Sequence, residues 1–191
     1  MTTSKEIVKK IFEGKIIERI PLQFEWGNPS IENENSDVIG ISFRLPFSEE
    51  FYIKGGPFCR IKDSLKKWAE KIDIEEYSWP DIQSSVKLAV KSKIQRIKQY
   101  SDKFIIGKVL GPTETAESFC APPQDIRSSM LSQFSHNFGF AALLFYNREK
   151  AELLYNKITI YIEKLVDEIA KNKLIDAIRI ADDSYSYLGP L

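Results

Sequence analysis

Two short apolar segments separated by a long helical stretch constrain the fold of this chain more than any other feature. Phe104–Leu110 has the composition of a buried strand and is followed by Gly111 and Pro112, and Ala177–Ala181 forms a second such segment. Between them, apolar residues recur at helical spacing, most regularly over residues 148–171. Strands joined through helices usually pair in parallel. The sequence therefore predicts an α/β fold with a parallel sheet.

The first half of the chain carries shorter signals of the same kind. Apolar and polar residues alternate after Pro21, which predicts a strand over residues 19–26, and a second strand is predicted at Val38–Phe43. The other predicted elements are a helix over 4–13 capped by Thr3 or Ser4, a short strand at 50–54, and helices within 61–72, 82–100, 125–135 and 138–145. No repeat or linker divides the chain, so we expect one domain over residues 1–191.

Length and charge limit the classes of function. A full (β/α)8 barrel takes about 250 residues, so a chain of 191 residues is short for one. Lysine plus arginine and aspartate plus glutamate both number 27, and this balance argues against general nucleic-acid binding. The first ten residues lack the apolar core of a secretory signal, and no apolar run reaches the roughly 18–20 residues that span a bilayer. We expect a cytoplasmic protein without membrane or nucleic-acid partners.

Polar residues that follow the predicted strands are the candidate site residues. Asp182 and Asp183 come directly after the last strand, and Tyr185 could close over a ligand bound there. Carboxyl ends of parallel strands are where α/β proteins build their sites, so these side chains could line a pocket. The alternative is that one aspartate caps a helix or tightens a loop.

Two further segments add candidates at the same end of the predicted sheet. Thr113 and Glu114 follow the strand that ends at Leu110, and Gln23 and Glu25 lie at the end of the first predicted strand. Thr113 could instead be a helix N-cap, with Glu114 favoured by the dipole of the first turn. His136 is the only histidine of the chain, and neither it nor the cysteines give a spacing that predicts a metal site.

In chain order, four segments resemble the uroporphyrinogen decarboxylase superfamily. Residues 11–22 are similar to its first helix and the entry D/E-R-hydrophobic-P into the first strand. Residues 77–81 (Tyr-Ser-Trp-Pro-Asp) resemble the phrase Y-x-W-P-D of its methyltransferase-like branch. Residues 107–119 resemble a strand followed by G-P-x-x-x-A, and residues 176–183 resemble D-A-hydrophobic-x-hydrophobic-x-D-D, with Gly189-Pro190 downstream.

The resemblance implies a TIM-barrel fold, of which this chain would supply the amino-terminal half. We expect about four parallel strands and an amino-terminal helix, in a domain truncated before the rest of the barrel. The branch with corrinoid- and coenzyme M-linked methyltransferases is the closer one. It implies a small-molecule substrate or a corrinoid protein as partner. Its zinc ligands, histidine and cysteine, would lie in the carboxyl-terminal half of the family's domain, so we expect no zinc or other cofactor within these residues.

Two alternatives stay open at this point. The first is uroporphyrinogen decarboxylase itself, a cofactor-free enzyme of porphyrin biosynthesis. Its arginine-rich segment after the first strand is replaced here by residues 23–30, which hold no arginine, and a substrate with many carboxylates needs cations. The second is a non-catalytic half-barrel that binds a ligand or forms a homodimer, because an open sheet leaves its edges exposed. Alone, the chain is expected to have no turnover.

Overall fold

The computed structural model describes residues 2–22, 36–59, 64–123, 138–182, 185–186 and 189–190. Within these ranges the chain forms a mixed α/β fold with a small parallel sheet. The helices are α1 (Ser4–Phe12), α2 (Pro46–Lys54), α3 (Leu65–Lys71), α4 (Ile82–Lys91), α5 (Ile94–Gln99), α6 (Pro112–Cys120), α7 (Phe138–Tyr146) and α8 (Arg148–Ala170). The strands are β1 (Val38–Phe43), β2 (Phe104–Leu110), β3 (Ala177–Ala181), β4 (Tyr185–Ser186) and β5 (Gly189–Pro190).

Side-chain caps fix where several of the helices begin. Thr3 and Glu6 form a reciprocal capping box at α1, since each side chain accepts a hydrogen bond from the other residue's backbone N–H. Asp81 accepts from the N–H of Ser84 at 2.7 Å and caps α4, and Asn147 caps α8. These contacts satisfy N–H groups that a first helical turn leaves without a partner.

Three parallel strands form the sheet, in the order β1-β2-β3. Because side chains alternate across a strand, the sheet has two distinct faces. One face, here called the core face, carries rows such as Ile41, Gly107 and Ile178, and packs against the helices. The other, called the open face, carries rows such as Ser42, Lys108 and Arg179. At the amino end of the open face, α1 lies against β1 and β2.

Aromatic rings fill the helix layer on the core side. Phe119 is fully buried and lies 4.9 Å from Phe51 and 5.2 Å from Trp79, measured between ring centroids. The hydroxyl of Tyr161 donates to the carbonyl oxygen of Pro80, and the indole N–H of Trp79 donates to that of Ile74 at 3.1 Å. Within the segment 77–81, Tyr77 and Trp79 are half-buried and pack against the core, and Asp81 caps the helix that follows.

Several sequence predictions are confirmed with close bounds, including β1, β2, β3, α1, α7 and α8. The short strand predicted at 50–54 is wrong, because Pro46 starts a helix there and that helix runs to Lys54. The single helix predicted over 82–100 is two helices, broken at Ser92 and Lys93. The sheet of the described residues has three parallel strands rather than about four. Residues 23–26 of the predicted first strand, and the helix predicted at 125–135, lie outside the described residues.

In the part of the chain that the structure describes, no helix combines the length and the apolar character needed to cross a bilayer.

Candidate functional site

A cleft of about 340 Å³ opens on the sheet at the carboxyl ends of β1, β2 and β3. Three cationic residues line it: Arg44 just after β1, Lys108 on β2 and Arg179 on β3. The remaining lining is contributed by Ser42, Phe43, Val109, Leu110 and Ala181. Small-molecule pockets usually enclose about 300–1,000 Å³, so the cleft has the volume for a compact ligand.

The sheet register places two of these cationic residues in the same row. Lys108 pairs with Arg179 across β2 and β3, and with Ser42 across β1 and β2. Adjacent strands lie about 4.8 Å apart, so residues in one row emerge next to one another. Lys108 is half-buried, whereas Arg44 and Arg179 are exposed. The open face therefore carries Lys108 and Arg179 in one row near the carboxyl ends of β2 and β3.

A glycine on β1 makes room for the Lys108 side chain. A Cβ atom added to Gly40 would lie 2.3 Å from Cε and 2.8 Å from Nζ of Lys108. The lysine stem thus lies across the β1 backbone at Gly40. Any larger residue at this position would displace the ammonium group.

Asp182, at the end of β3, holds the first turn of α6. Its carboxylate accepts hydrogen bonds from the backbone N–H of Thr113 at 3.3 Å and of Glu114 at 3.1 Å. Gly111 allows this approach, since a Cβ there would lie 2.3 Å from Cβ and Cγ of Asp182. The N–H of Gly111 also donates to the carbonyl oxygen of Ala181 at 2.6 Å. The carboxylate acts as a cap supplied from a neighbouring strand.

The structure therefore brings together three of the predicted site residues, Asp182, Thr113 and Glu114. Thr113 is not the N-cap that one interpretation assigned to it, because Gly111 occupies that position and Thr113 lies within the first turn. The three residues border the carboxyl end of the sheet and are not among those that line the cleft. Gln23, Glu25 and Asp183 lie outside the described residues, and Tyr185 is described only as part of β4.

Lys108 and Arg179 lie within strands rather than after them, so the pattern of polar residues that follow strands does not predict these two cations of the cleft. Lys108 interrupts the apolar run of β2, and Arg179 interrupts that of β3. A cation inside a short apolar strand is the signal that could have identified both. Burial in the core does not suit a charged group, so such a residue indicates a face that is not packed against helices.

Carboxylates at the opposite, amino end of the sheet are ion-paired. Asp37 is buried and accepts two hydrogen bonds from the Arg19 guanidinium, at 2.5 and 2.6 Å, and one from the N–H of Leu22 at 2.9 Å. Hydrogen bonds from Arg19 hold the pKa of Asp37 well below its usual range. Asp176 lies 2.9 Å from Nζ of Lys5, which ties α1 to the start of β3.

The residues described here offer no group of three or more histidine, cysteine, aspartate or glutamate side chains arranged to hold a metal ion. Cys120 is buried, and burial raises the pKa of its thiol far above the usual value. Burial also raises the pKa of the partly exposed Cys59. Neither thiol is therefore poised to ionise at neutral pH.

Comparison of the chain with protein-family models, with curated proteins and with solved structures finds no match.

Proposed function

We propose that this chain is part of a (β/α)8-type barrel of the uroporphyrinogen decarboxylase superfamily, and that the catalytic unit to which it contributes transfers methyl groups. The cleft at the carboxyl end of the open face would be its substrate pocket. The observation that carries the proposal is the asymmetry of the sheet, whose core face is packed by helices while its open face ends in a cationic cleft.

This asymmetry favours a barrel over a doubly wound sheet. A doubly wound sheet carries helices on both faces, and its strands are apolar on both sides. In a barrel the helices form an outer layer, and active sites lie at the carboxyl end of the inner side. Lys108 and Arg179 on the open face suit that inner position. α1, whose Val8 packs on Val38 and Phe104, would then close the amino end of the barrel.

The exposed side of β3 fits the same arrangement. Ile180 points to the core face, yet 52% of its surface is exposed. A further helix packed beside α8 would cover this side chain, as each helix of a barrel covers the strands beneath it. The proposal therefore predicts additional strands and helices beyond β3 in the complete catalytic unit.

The reaction class comes from the resemblance of the four sequence segments to the methyltransferase-like branch. A corrinoid bound by the catalytic unit would supply the methyl group, and a thiol would accept it. The role assigned to the described residues is binding: the cleft orients an anionic part of the substrate, and Asp182 fixes α6 beside it. No step of the reaction is assigned to zinc, since the described residues present no group of three or more possible metal ligands.

Decarboxylation of a porphyrinogen is the second candidate, and the cations of the cleft favour it. The sequence argument against it was the absence of arginine in residues 23–30. Arg44, Lys108 and Arg179 bring cations to the pocket from other positions, on or beside the three strands. A substrate with several carboxylates could use them.

Ligand binding separates the two candidates. Isothermal titration of the purified chain with methylcobalamin, 2-mercaptoethanesulfonate and coproporphyrin tests each class of ligand directly. The methyltransferase proposal predicts saturable binding of methylcobalamin or of the thiol, and weaker binding of the thiol in Arg179→Gln. Binding of coproporphyrin alone would support the decarboxylase, and binding of none of the three would reject both.

A further inference from the structure

We propose that two copies of this chain associate through an apolar surface formed by Ile11, Phe12, Ile16 and Ile20, here called the amino-terminal surface. Ile11 and Phe12 lie in the last turn of α1, and Ile16 and Ile20 lie in the segment 15–22 that follows it. The exposed fractions of the four residues are 44, 75, 96 and 79%, in chain order. α1 packs at the amino end of the sheet, and the cleft opens at the carboxyl end. Association there would leave the cleft free, so it is independent of the proposed function.

The apolar stripe of α1 continues beyond the part of the helix that the fold covers. Ile7 and Val8 are buried. Ile11 and Phe12 follow four residues later on the same side of the helix, and both are exposed. The ring of Phe12 stacks on that of Phe104 at 5.7 Å between centroids, yet most of Phe12 stays in contact with solvent. The stripe that anchors α1 to the sheet therefore emerges from the fold along its last turn.

The segment after α1 uses polar groups for internal contacts and presents Ile16 and Ile20 to solvent. The Arg19 guanidinium donates two hydrogen bonds to the buried carboxylate of Asp37, at 2.5 and 2.6 Å. The N–H of Leu22 donates to the same carboxylate at 2.9 Å. These contacts fix the backbone on both sides of Ile20, and turning that side chain inward would break them. The fold therefore holds the apolar side chains in solvent.

The helix and the following segment are held against each other, so their exposed apolar side chains form one surface. The N–H of Lys15 donates to the carbonyl oxygen of Lys10 at 2.8 Å, and the Lys10 ammonium lies 3.8 Å from the Glu18 carboxylate. The four apolar residues expose on the order of 500 Å², a size at which such patches often mark an interaction site. Pairing two copies would bury on the order of 1,000 Å² in all, which is the lower limit for a specific interface. The expected dimer is therefore weak and depends on protein concentration.

Two ion pairs border the amino-terminal surface, and their mixed signs favour a second copy as the partner. Lys15 lies 2.6 Å from Glu13, and Lys10 pairs with Glu18. A surface with two cations and two carboxylates can complement itself across a two-fold axis. An anionic membrane or a nucleic acid would be repelled by the two carboxylates, so neither suits this surface as well.

Sedimentation velocity of the purified chain over a wide range of micromolar concentrations tests the inference. We expect the mean mass to rise from that of one chain toward that of two as the concentration increases. Phe12→Ser and Ile16→Ser should each weaken association by about tenfold or more, as expected for an apolar side chain near the centre of an interface. Ile16 is 96% exposed and contributes little to the fold of one chain, so Ile16→Ser still decides if Phe12→Ser fails to fold.

Phe145→Ser and Ile53→Ser are the matched controls, since Phe145 on α7 and Ile53 on α2 are also exposed but do not belong to the amino-terminal surface. Neither control should change the association. A chain that stays monomeric at every concentration would overturn the inference, as would association that Phe12→Ser and Ile16→Ser leave unchanged or that the controls weaken equally. A monomer that binds vesicles containing phosphatidylserine, and loses that binding in Ile16→Ser, would also overturn it and identify a membrane as the partner.

An exchange of charges tests the choice of a second copy as the partner. One variant carries Lys10→Glu and Lys15→Glu, and the other carries Glu13→Lys and Glu18→Lys. Each should associate less than the unaltered chain at low ionic strength, because like charges then meet across the two-fold axis. An equimolar mixture of the two variants should regain association. If the mixture associates no better than either variant alone, these charges do not pair two copies and the inference is overturned.

Discussion

The two ends of the sheet handle charge in opposite ways. At the amino end, the buried carboxylates of Asp37 and Asp176 are matched by Arg19, Lys5 and Lys9, which come from the first helix and the segment after it. At the carboxyl end, three cations line an accessible cleft, and the nearby carboxylate of Asp182 is engaged by the first turn of α6. We infer that the amino end serves stability and the carboxyl end serves binding.

This contrast also separates two kinds of charged residue that look alike in sequence. Arg19 and Arg179 are both arginines beside apolar residues. Arg19 forms a bidentate pair with a carboxylate that is only 2% exposed, so its place is set by the fold. Arg179 is exposed and lines the cleft on the open face.

Asp37→Asn should have the largest effect on stability. The substitution keeps the size of the side chain but removes the negative charge that pairs with the Arg19 guanidinium. Hydrogen bonds to charged groups contribute roughly 1.5–3 kcal/mol to stability. We expect a loss of about 2 kcal/mol in the free energy of unfolding, measured by urea denaturation. Asp102→Asn, in the exposed turn before β2, is the control and should change it by less than about 0.5 kcal/mol. Equal effects of the two variants would remove the distinction made for the amino end.

The same ion pair should make stability depend on acid pH. Because the folded pKa of Asp37 is depressed, its contribution is present above the unfolded pKa of about 3.9 and is lost as the pH falls toward the folded value. Urea unfolding curves measured from pH 6 down to the acid limit of solubility should show this loss of free energy of unfolding. Carboxylates protonate over roughly this range. Below about pH 4, the free energy of unfolding of Asp37→Asn should fall less steeply with decreasing pH than that of the unaltered chain, because the variant lacks this carboxyl group. An unchanged slope would contradict the assignment.

Gly111→Ala should come next in size. The added methyl group would overlap Cβ and Cγ of Asp182, so the strand end and α6 would have to move apart, at a cost of about 1–3 kcal/mol for such overpacking. Thermal or urea unfolding measures the loss. Combining it with Asp182→Gly removes the overlapping atoms, so the double variant should be less destabilised than the sum of the two single variants. Strict additivity would show that the two residues do not compete for space.

Asp182→Asn should cost about 1 kcal/mol, the usual contribution of a helix cap. An asparagine oxygen can still accept a hydrogen bond from the N–H of Thr113 or Glu114, so the loss reflects mainly the charge at the helix N-terminus. Asp182→Ala should lose more than Asp182→Asn in the same unfolding assay. If both variants were as stable as the unaltered chain, the carboxylate would have no capping role.

The smallest stability effects are expected in the cleft. Lys108→Met should change the free energy of unfolding by less than about 0.5 kcal/mol, because Lys108 lies on the open face and does not belong to the buried hydrophobic core. A larger loss in urea denaturation would mean that the open face depends on this lysine for its structure. The carboxyl end would then resemble the amino end, and the comparison would fail.

The fold of the described residues was largely predictable where one local signal dominated. The apolar run that ends at Gly111 and Pro112 predicts β2. The long apolar stripe of α8 predicts both the length of that helix and the side that is buried. The helix α2 was missed, because Phe47 and Phe51 are aromatic residues that also suit strands. Their burial against Phe119 depends on contacts distant in sequence, which local propensity does not contain.

The candidate site was only partly accessible from sequence. The position of Asp182 after a strand predicts a site residue, and the alternative interpretation is that an aspartate there caps a helix. The helix it caps precedes it by about 70 residues in sequence, so only the parallel pairing of β2 and β3 reveals the contact. The cleft itself depends on the register that aligns Lys108 with Arg179, and register is a property of the assembled sheet.

A crossed comparison of Asp37→Asn and Arg179→Gln tests the division between the two ends most directly. Urea unfolding and titration with 2-mercaptoethanesulfonate are measured on both variants and on the unaltered chain. The account predicts that Asp37→Asn loses about 2 kcal/mol of stability and keeps its affinity at a temperature where it remains folded. It predicts that Arg179→Gln keeps its stability and loses about tenfold in affinity. An Arg179→Gln variant that is destabilised while its affinity is unchanged would contradict it.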